Sequence, residues 1–127
     1  MTKQPIKKPI LPSSEMVKKY QMLYPMINSD LSEVRELSKK KQDEPLNKFK
    51  VKTINKKLEQ VMEILVNEPT HEFLELLDEI TFPSNSDAVL MISQFIKAMD
   101  QFRQRYYSSD GKEFGLSFQS NTWKTCD

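Results

Sequence analysis

Apolar residues recur along most of this chain at spacings of three and four, the signature of helices with one buried face. Val17, Tyr20, Leu23 and Tyr24 open the series after Ser13 and Ser14, either of which suits a helix N-cap, with Glu15 in the first turn. Pro25 follows, and a proline inside a helical pattern predicts a break. A second helix is expected from Asn28–Asp30, with Leu31, Val34 and Leu37 on one side, dissolving into a loop over Lys41–Glu44. Pro45 suits the first turn of a third helix, whose stripe is Val51, Ile54, Leu58, Val61 and Leu65, widened by Met62 and Val66. Pro69 ends that run, and Phe73, Leu76, Leu77 and Ile80 predict a short fourth helix.

The fifth helix, Asp87–Tyr107, is the strongest signal. Ala88, Ile92, Phe95, Met99, Phe102 and Tyr106 alternate four and three apart, and Val89 and Ile96 broaden the face towards a globular core. Beyond "SSDG" the residues Phe114, Leu116 and Phe118 alternate as in a strand, but no clear partner strand is visible, so the C-terminal tail is expected to be irregular or to pack extended on the helices. The predicted fold is a single-domain all-α bundle of four to five helices. A flexible basic arm occupies residues 1–12, the bundle 13–107, and the tail 108–127. No internal repeat is visible.

Composition supports this class. The only glycines are Gly111 and Gly115, so residues 1–110 lack the residue that phosphate loops and many tight hairpins require. That argues against a P-loop, a dinucleotide fingerprint and a turn-rich β fold. No apolar run approaches the ~20 residues of a membrane helix. The start "MTKQPIKKPILP" is basic but has no apolar core for a secretory signal. Cys126 is the single cysteine, which rules out an internal disulfide. These features lead to the expectation of a cytoplasmic protein that does not enter membranes.

Charge is unevenly distributed. Residues 1–57 hold fourteen basic and six acidic residues, a net of +8, while residues 58–127 hold five and twelve, a net of −7. The stretch "NKFKVKTINKK" (47–57) places five lysines at the start of the third helix, the end where a helix dipole disfavours cations. If helices three and four pack antiparallel, Asp78 and Glu79 approach Lys56 and Lys57. Lys39, Lys40, Lys41, Lys48, Lys50 and Lys52 remain as a candidate basic patch for an acidic protein or a phosphate backbone. Phe49, inside the patch, fits a stacking role or the buried face equally well.

A second candidate surface is "YQMLYPMI", where Tyr20, Met22, Tyr24 and Met26 are richer in rings and sulfur than a short helix requires. Trp123 is either a docked plug or an anchor for a partner. Candidate chemistry is sparse. Glu68 and His71 have the E-x-x-H spacing of a di-iron bundle, but the chain has one histidine and Pro69 lies between the pair. Glu72, Glu75, Asp78 and Glu79 read as a wet acidic face, and no nucleophile elbow is marked. The "PILP" segment has PxxP spacing without the flanking basic residue such ligands use.

The leading expectation is therefore a small cytosolic, non-catalytic binding or regulatory protein without cofactor or metal, acting through protein–protein contacts with a partner that is acidic or apolar. A nucleic-acid binder using the lysine patch is the alternative, and an enzyme the third class. The broad stripe of the fifth helix and the opposed charges of the two segments also permit a homodimer.

Overall fold

The computed structural model describes residues 11–110 and 120–127. It is mostly helical, and three helices replace the expected four to five: α1 (Ser14–Lys40), α2 (Lys48–Ile64) and α3 (Asn85–Tyr106). A short 3₁₀ turn spans Pro69–Phe73. Two strands, β1 (Tyr107–Asp110) and β2 (Ser120–Trp123), pair antiparallel with Tyr107 opposite Trp123 and Asp110 opposite Ser120. The basic arm lies outside the described residues up to position 10. Its last two residues do not: Leu11 packs against the core and Pro12 is buried.

The first correction is at Pro25, which does not divide α1. Proline has no N–H for the Gln21 carbonyl. Gln21 and Pro25 are both exposed, so the orphaned carbonyl lies on the side that water reaches. The other face carries Val17, Tyr20, Leu23, Ile27, Leu31 and Val34 in one buried row across the proline. Each such side chain contributes about 1.5–3 kcal/mol on burial, and together they outweigh a proline penalty of about 3 kcal/mol. Ser13 caps α1, its Oγ accepting from Met16 N at 3.1 Å.

The second correction is at Phe73–Ile80. After the 3₁₀ turn the chain runs extended, not helical. Asn55 of α2, only 2% exposed, holds it there: Asn55 Nδ2 donates to Leu77 O at 2.8 Å and Leu77 N donates to Asn55 Oδ1 at 3.0 Å. Leu74 and Leu77 are buried, whereas Phe73 and Ile80 face solvent. Asp78 does not reach towards the lysines; its Oδ1 accepts from Ile80 N and Thr81 N, closing its own turn. Those two N–H donors hold the Asp78 carboxyl below its usual pKa.

The third difference is in the tail, where β1 and β2 pair antiparallel in place of irregular chain, while Trp123 packs on the helices. Phe114, Leu116 and Phe118 fall outside the described residues. After β2 the chain turns back along the start of α1. Cys126 N donates to Pro12 O at 2.9 Å, and the Asp127 carboxylate accepts from Ser14 N and Ser14 Oγ at 2.8 and 3.2 Å.

Packing centres on α1, which lies against both α3 and α2, while α2 and α3 meet only sparsely. The two longest predicted stripes thus bury chiefly against α1, not against each other. The narrow stripe of α3, Ala88 to Tyr106, is buried within the chain, whereas Val89 and Ile96 beside it are partly buried. The α1–α2 connection is tied to the start of α3: Leu46 N bonds Pro83 O, Asn85 N bonds Glu44 O, and Asn85 Nδ2 bonds Lys41 O. Ser84 caps α3 by accepting from Asp87 N at 3.1 Å.

Candidate functional site

The structure sorts the sequence-derived candidates onto two faces. The first is formed by α1 and α2. α2 begins after Pro45, which lies ahead of the helix and not in its first turn; Asn47 is the N-cap, its Oδ1 accepting from Lys50 N at 2.8 Å. No acidic residue occupies the first turn of α2, so the charge balance comes from α1. Lys50 pairs with Glu33, and Lys57 pairs with Asp30 at 2.8 Å with both side chains under 20% exposed. This replaces the expected approach of Asp78 and Glu79 to Lys56 and Lys57. Glu79 instead lies 3.3 Å from Asn55 Nδ2.

The six-lysine patch is accordingly divided. Lys39 pairs with Glu36 at 3.1 Å, and Lys41 with Glu44 at 3.8 Å, both pairs largely exposed. Exposed pairs of this kind contribute at most about 1 kcal/mol. Lys50 is partly covered by its Glu33 contact. Lys40, Lys48 and Lys52 are exposed and make no ion pair among the described residues.

Between Lys48 and Lys52 stands Phe49, 78% exposed. It lies about 200° round the helix from Val51, opposite the buried row, so helical phase alone separates it from the core. Phe49 forms the lip of a cleft of about 230 Å³ whose walls include Asp30, Glu33 and Val34 of α1 and Thr53 and Ile54 of α2. Met26, 44% exposed, is one turn before Asp30 on the same helix, and Met22, 53% exposed, is one turn further. Two methionines and one phenylalanine are therefore exposed on this helix pair, while Lys48 and Lys52 lie about 100° and 60° round α2 from Phe49, both on the side away from the cleft.

The second face takes the rest of "YQMLYPMI". Tyr20 and Tyr24 point away from the methionines, towards α3 and the hairpin. Tyr20 is buried and donates its hydroxyl to Met99 O at 2.8 Å. It stacks on Tyr24 at 5.7 Å between ring centroids and meets Trp123 edge-on at 5.1 Å. Burial, then the neighbouring Tyr24 and Asp100, push the Tyr20 phenol far above its ordinary range. Tyr24 donates to Asp100 Oδ1 at 2.6 Å, and that bond, with burial, raises its pKa also. Trp123 is half-buried against Tyr20, Phe102 and Tyr107. It closes the hydrophobic core while leaving one side open to a groove.

Sequence reasoning missed Asp100, Arg103 and Tyr107 as neighbours of these rings. Nothing in the spacing marked the hairpin that brings Trp123 to α3. Glu68 is buried and accepts from Tyr106 Oη at 2.9 Å, with Arg105 Nη1 at 3.6 Å, so its carboxylate is engaged away from any E-x-x-H role. Among the described residues, no group of three metal-ligating side chains converges, and no helix is long and apolar enough to cross a membrane. No protein family, curated protein or solved structure matches this chain.

Proposed function

We propose that this chain is a small cytosolic, non-catalytic binding protein that docks a protein partner on the α1–α2 face. The observation that carries the reading is Phe49, a 78% exposed aromatic ring on the first turn of α2, at the lip of a cleft and with two unpaired lysines on its other side. Aromatic side chains anchored near pockets dominate the energetics of protein interfaces. Lys48 and Lys52 select a partner with acidic residues flanking the apolar group that meets Phe49. Met22 and Met26 extend the contact with side chains that adapt to an uneven surface.

The pairing of Lys39, Lys41 and Lys50 with carboxylates favours this reading over a nucleic-acid one. Three of the six lysines already face an acid, and each of those acids repels phosphate. The test is capture from lysate of the source cells with nuclease present, comparing the native chain with Phe49→Ser and with the Lys48→Glu, Lys52→Glu double variant. A nuclease-resistant protein lost from both variants is the expected result. Identical capture by all three chains, or loss of everything on nuclease treatment, overturns the proposal.

A further inference from the structure

The groove on the opposite flank of α1 has its own chemistry, independent of the α1–α2 face. It measures about 330 Å³ and runs between Tyr24 of α1, Asp100 and Arg103 of α3, and Tyr107 and Trp123 of the hairpin. Tyr107 and Trp123 stand 5.3 Å apart at 57°. Tyr24 stacks on Tyr20 at 19° and Trp123 meets Tyr20 at 64°, so Tyr24 and Trp123 present steeply inclined planes to the groove. Tyr24 and Trp123 are each only partly buried.

Two charged groups flank those rings. Asp100 accepts from Tyr24 through Oδ1, and its other oxygen has no hydrogen bond among the described residues. A carboxylate offers about four lone-pair sites, so most of its accepting capacity is open. Arg103 is one turn along the same helix, yet its guanidinium lies over the Tyr107 ring, 4.4 Å from the centroid, and pairs with no carboxylate among the described residues. The groove therefore combines aromatic surface, an acceptor for adjacent N–H donors, and a pre-placed planar cation.

We infer that this groove binds a guanine mononucleotide. The base stacks on the Tyr24 ring, as bases do on aromatic platforms, with the inclined Trp123 ring as a side wall. Guanine alone among the common bases presents two adjacent N–H donors on one edge, which match the two oxygens of a carboxylate. Adenine sets a ring-nitrogen acceptor beside its amino group, and that lone pair opposes Asp100. The phosphate meets the Arg103 fork, the side chain best matched to it in shape and charge.

Trp123 is the only tryptophan in the chain, so its indole N–H gives one resonance that reports the groove directly. The experiment titrates the ¹⁵N-labelled full chain with guanosine 5′-monophosphate, adenosine 5′-monophosphate and guanosine. The guanine nucleotide is expected to move the indole resonance saturably, with the adenine nucleotide weaker by about tenfold or more. Arg103→Gln is expected to weaken the guanine nucleotide by about tenfold, to the level of guanosine. Asp100→Asn is expected to erase the preference for guanine. Absence of a saturable shift, or equal response to both nucleotides, sinks the assignment. The native-chain comparison decides the question even if a variant fails to fold.

Discussion

The side-chain amide of Asn55 and the peptide unit of Leu77 form a reciprocal two-bond pair inside the core, with donor–acceptor distances of 2.8 and 3.0 Å. One side chain thereby imitates a neighbouring β-strand and keeps Leu74–Asp78 extended against α2. Asn55→Ala leaves the Leu77 N–H and C=O buried without partners, at about 1–3 kcal/mol for each group. The expected loss is about 3 kcal/mol in urea unfolding, with the 74–83 amides losing hydrogen-exchange protection first. A loss under about 0.5 kcal/mol, the level of an ordinary surface change, contradicts this role.

Pro25 is a tolerated defect on the wet side of α1. Alanine there restores an N–H for the Gln21 carbonyl and removes the ring, against a partial loss from greater freedom of the unfolded chain. Pro25→Ala is expected to stabilise the chain by about 2 kcal/mol and to raise Tm by several degrees. Calorimetry checks it, and an unchanged or lower Tm refutes it.

Phe49 separates folding from recognition. With 78% of its surface in water, Phe49→Ser is expected to change stability by no more than about 0.5 kcal/mol. Far-UV circular dichroism and the urea midpoint should match the native chain while partner capture disappears. A large drop in midpoint shows instead that Phe49 supports the fold.

The tyrosines predict an alkaline limit. Tyr20, Tyr24 and Tyr106 are all raised above the usual 10.0: Tyr20 and Tyr106 by burial first, Tyr24 by its bond to Asp100 first. A raised folded-state pKa means that the neutral phenol is favoured by folding. That contribution is fully present below the unfolded value and is lost as pH rises through the folded value. Stability should therefore be indifferent to these groups up to about pH 9 and fall above 10. Phenolate absorbance, compared between the native chain and Tyr20→Phe, Tyr24→Phe and Tyr106→Phe, should show each removed group titrating later than in urea. Coincident folded and unfolded midpoints rule this out.

α3 was legible in the sequence because its stripe is long, its spacing regular, and Ser84 stands at its start. The position of Phe49 was legible in principle, since its phase relative to Val51 points outward, although the reading left it open. Asn55 carried a weaker signal: a polar residue about 40° from Val51, well inside the apolar arc. Its consequence was hidden, because no local pattern says which distant backbone an amide will hold. Pro25 misled for the opposite reason. The local rule was sound, but the row from Val17 to Val34 continued through it, and packing outweighed the rule. The partners of Lys50 and Lys57 depend on how α1 and α2 are placed, which periodicity leaves free. The pairing of Tyr107 with Trp123 has Asp110 opposite Ser120, a register that the tight-turn signal at Asp110–Gly111 does not give.

One turn of α1 links most of these findings. Tyr24 and Met26 project to opposite flanks of the same coil, and the residue between them is the proline that leaves a rung of the ladder missing. A flexure at that rung would tilt the N-terminal half of the rod against its C-terminal half. Both outward surfaces would be re-aimed in a single movement, with neither needing to touch the other.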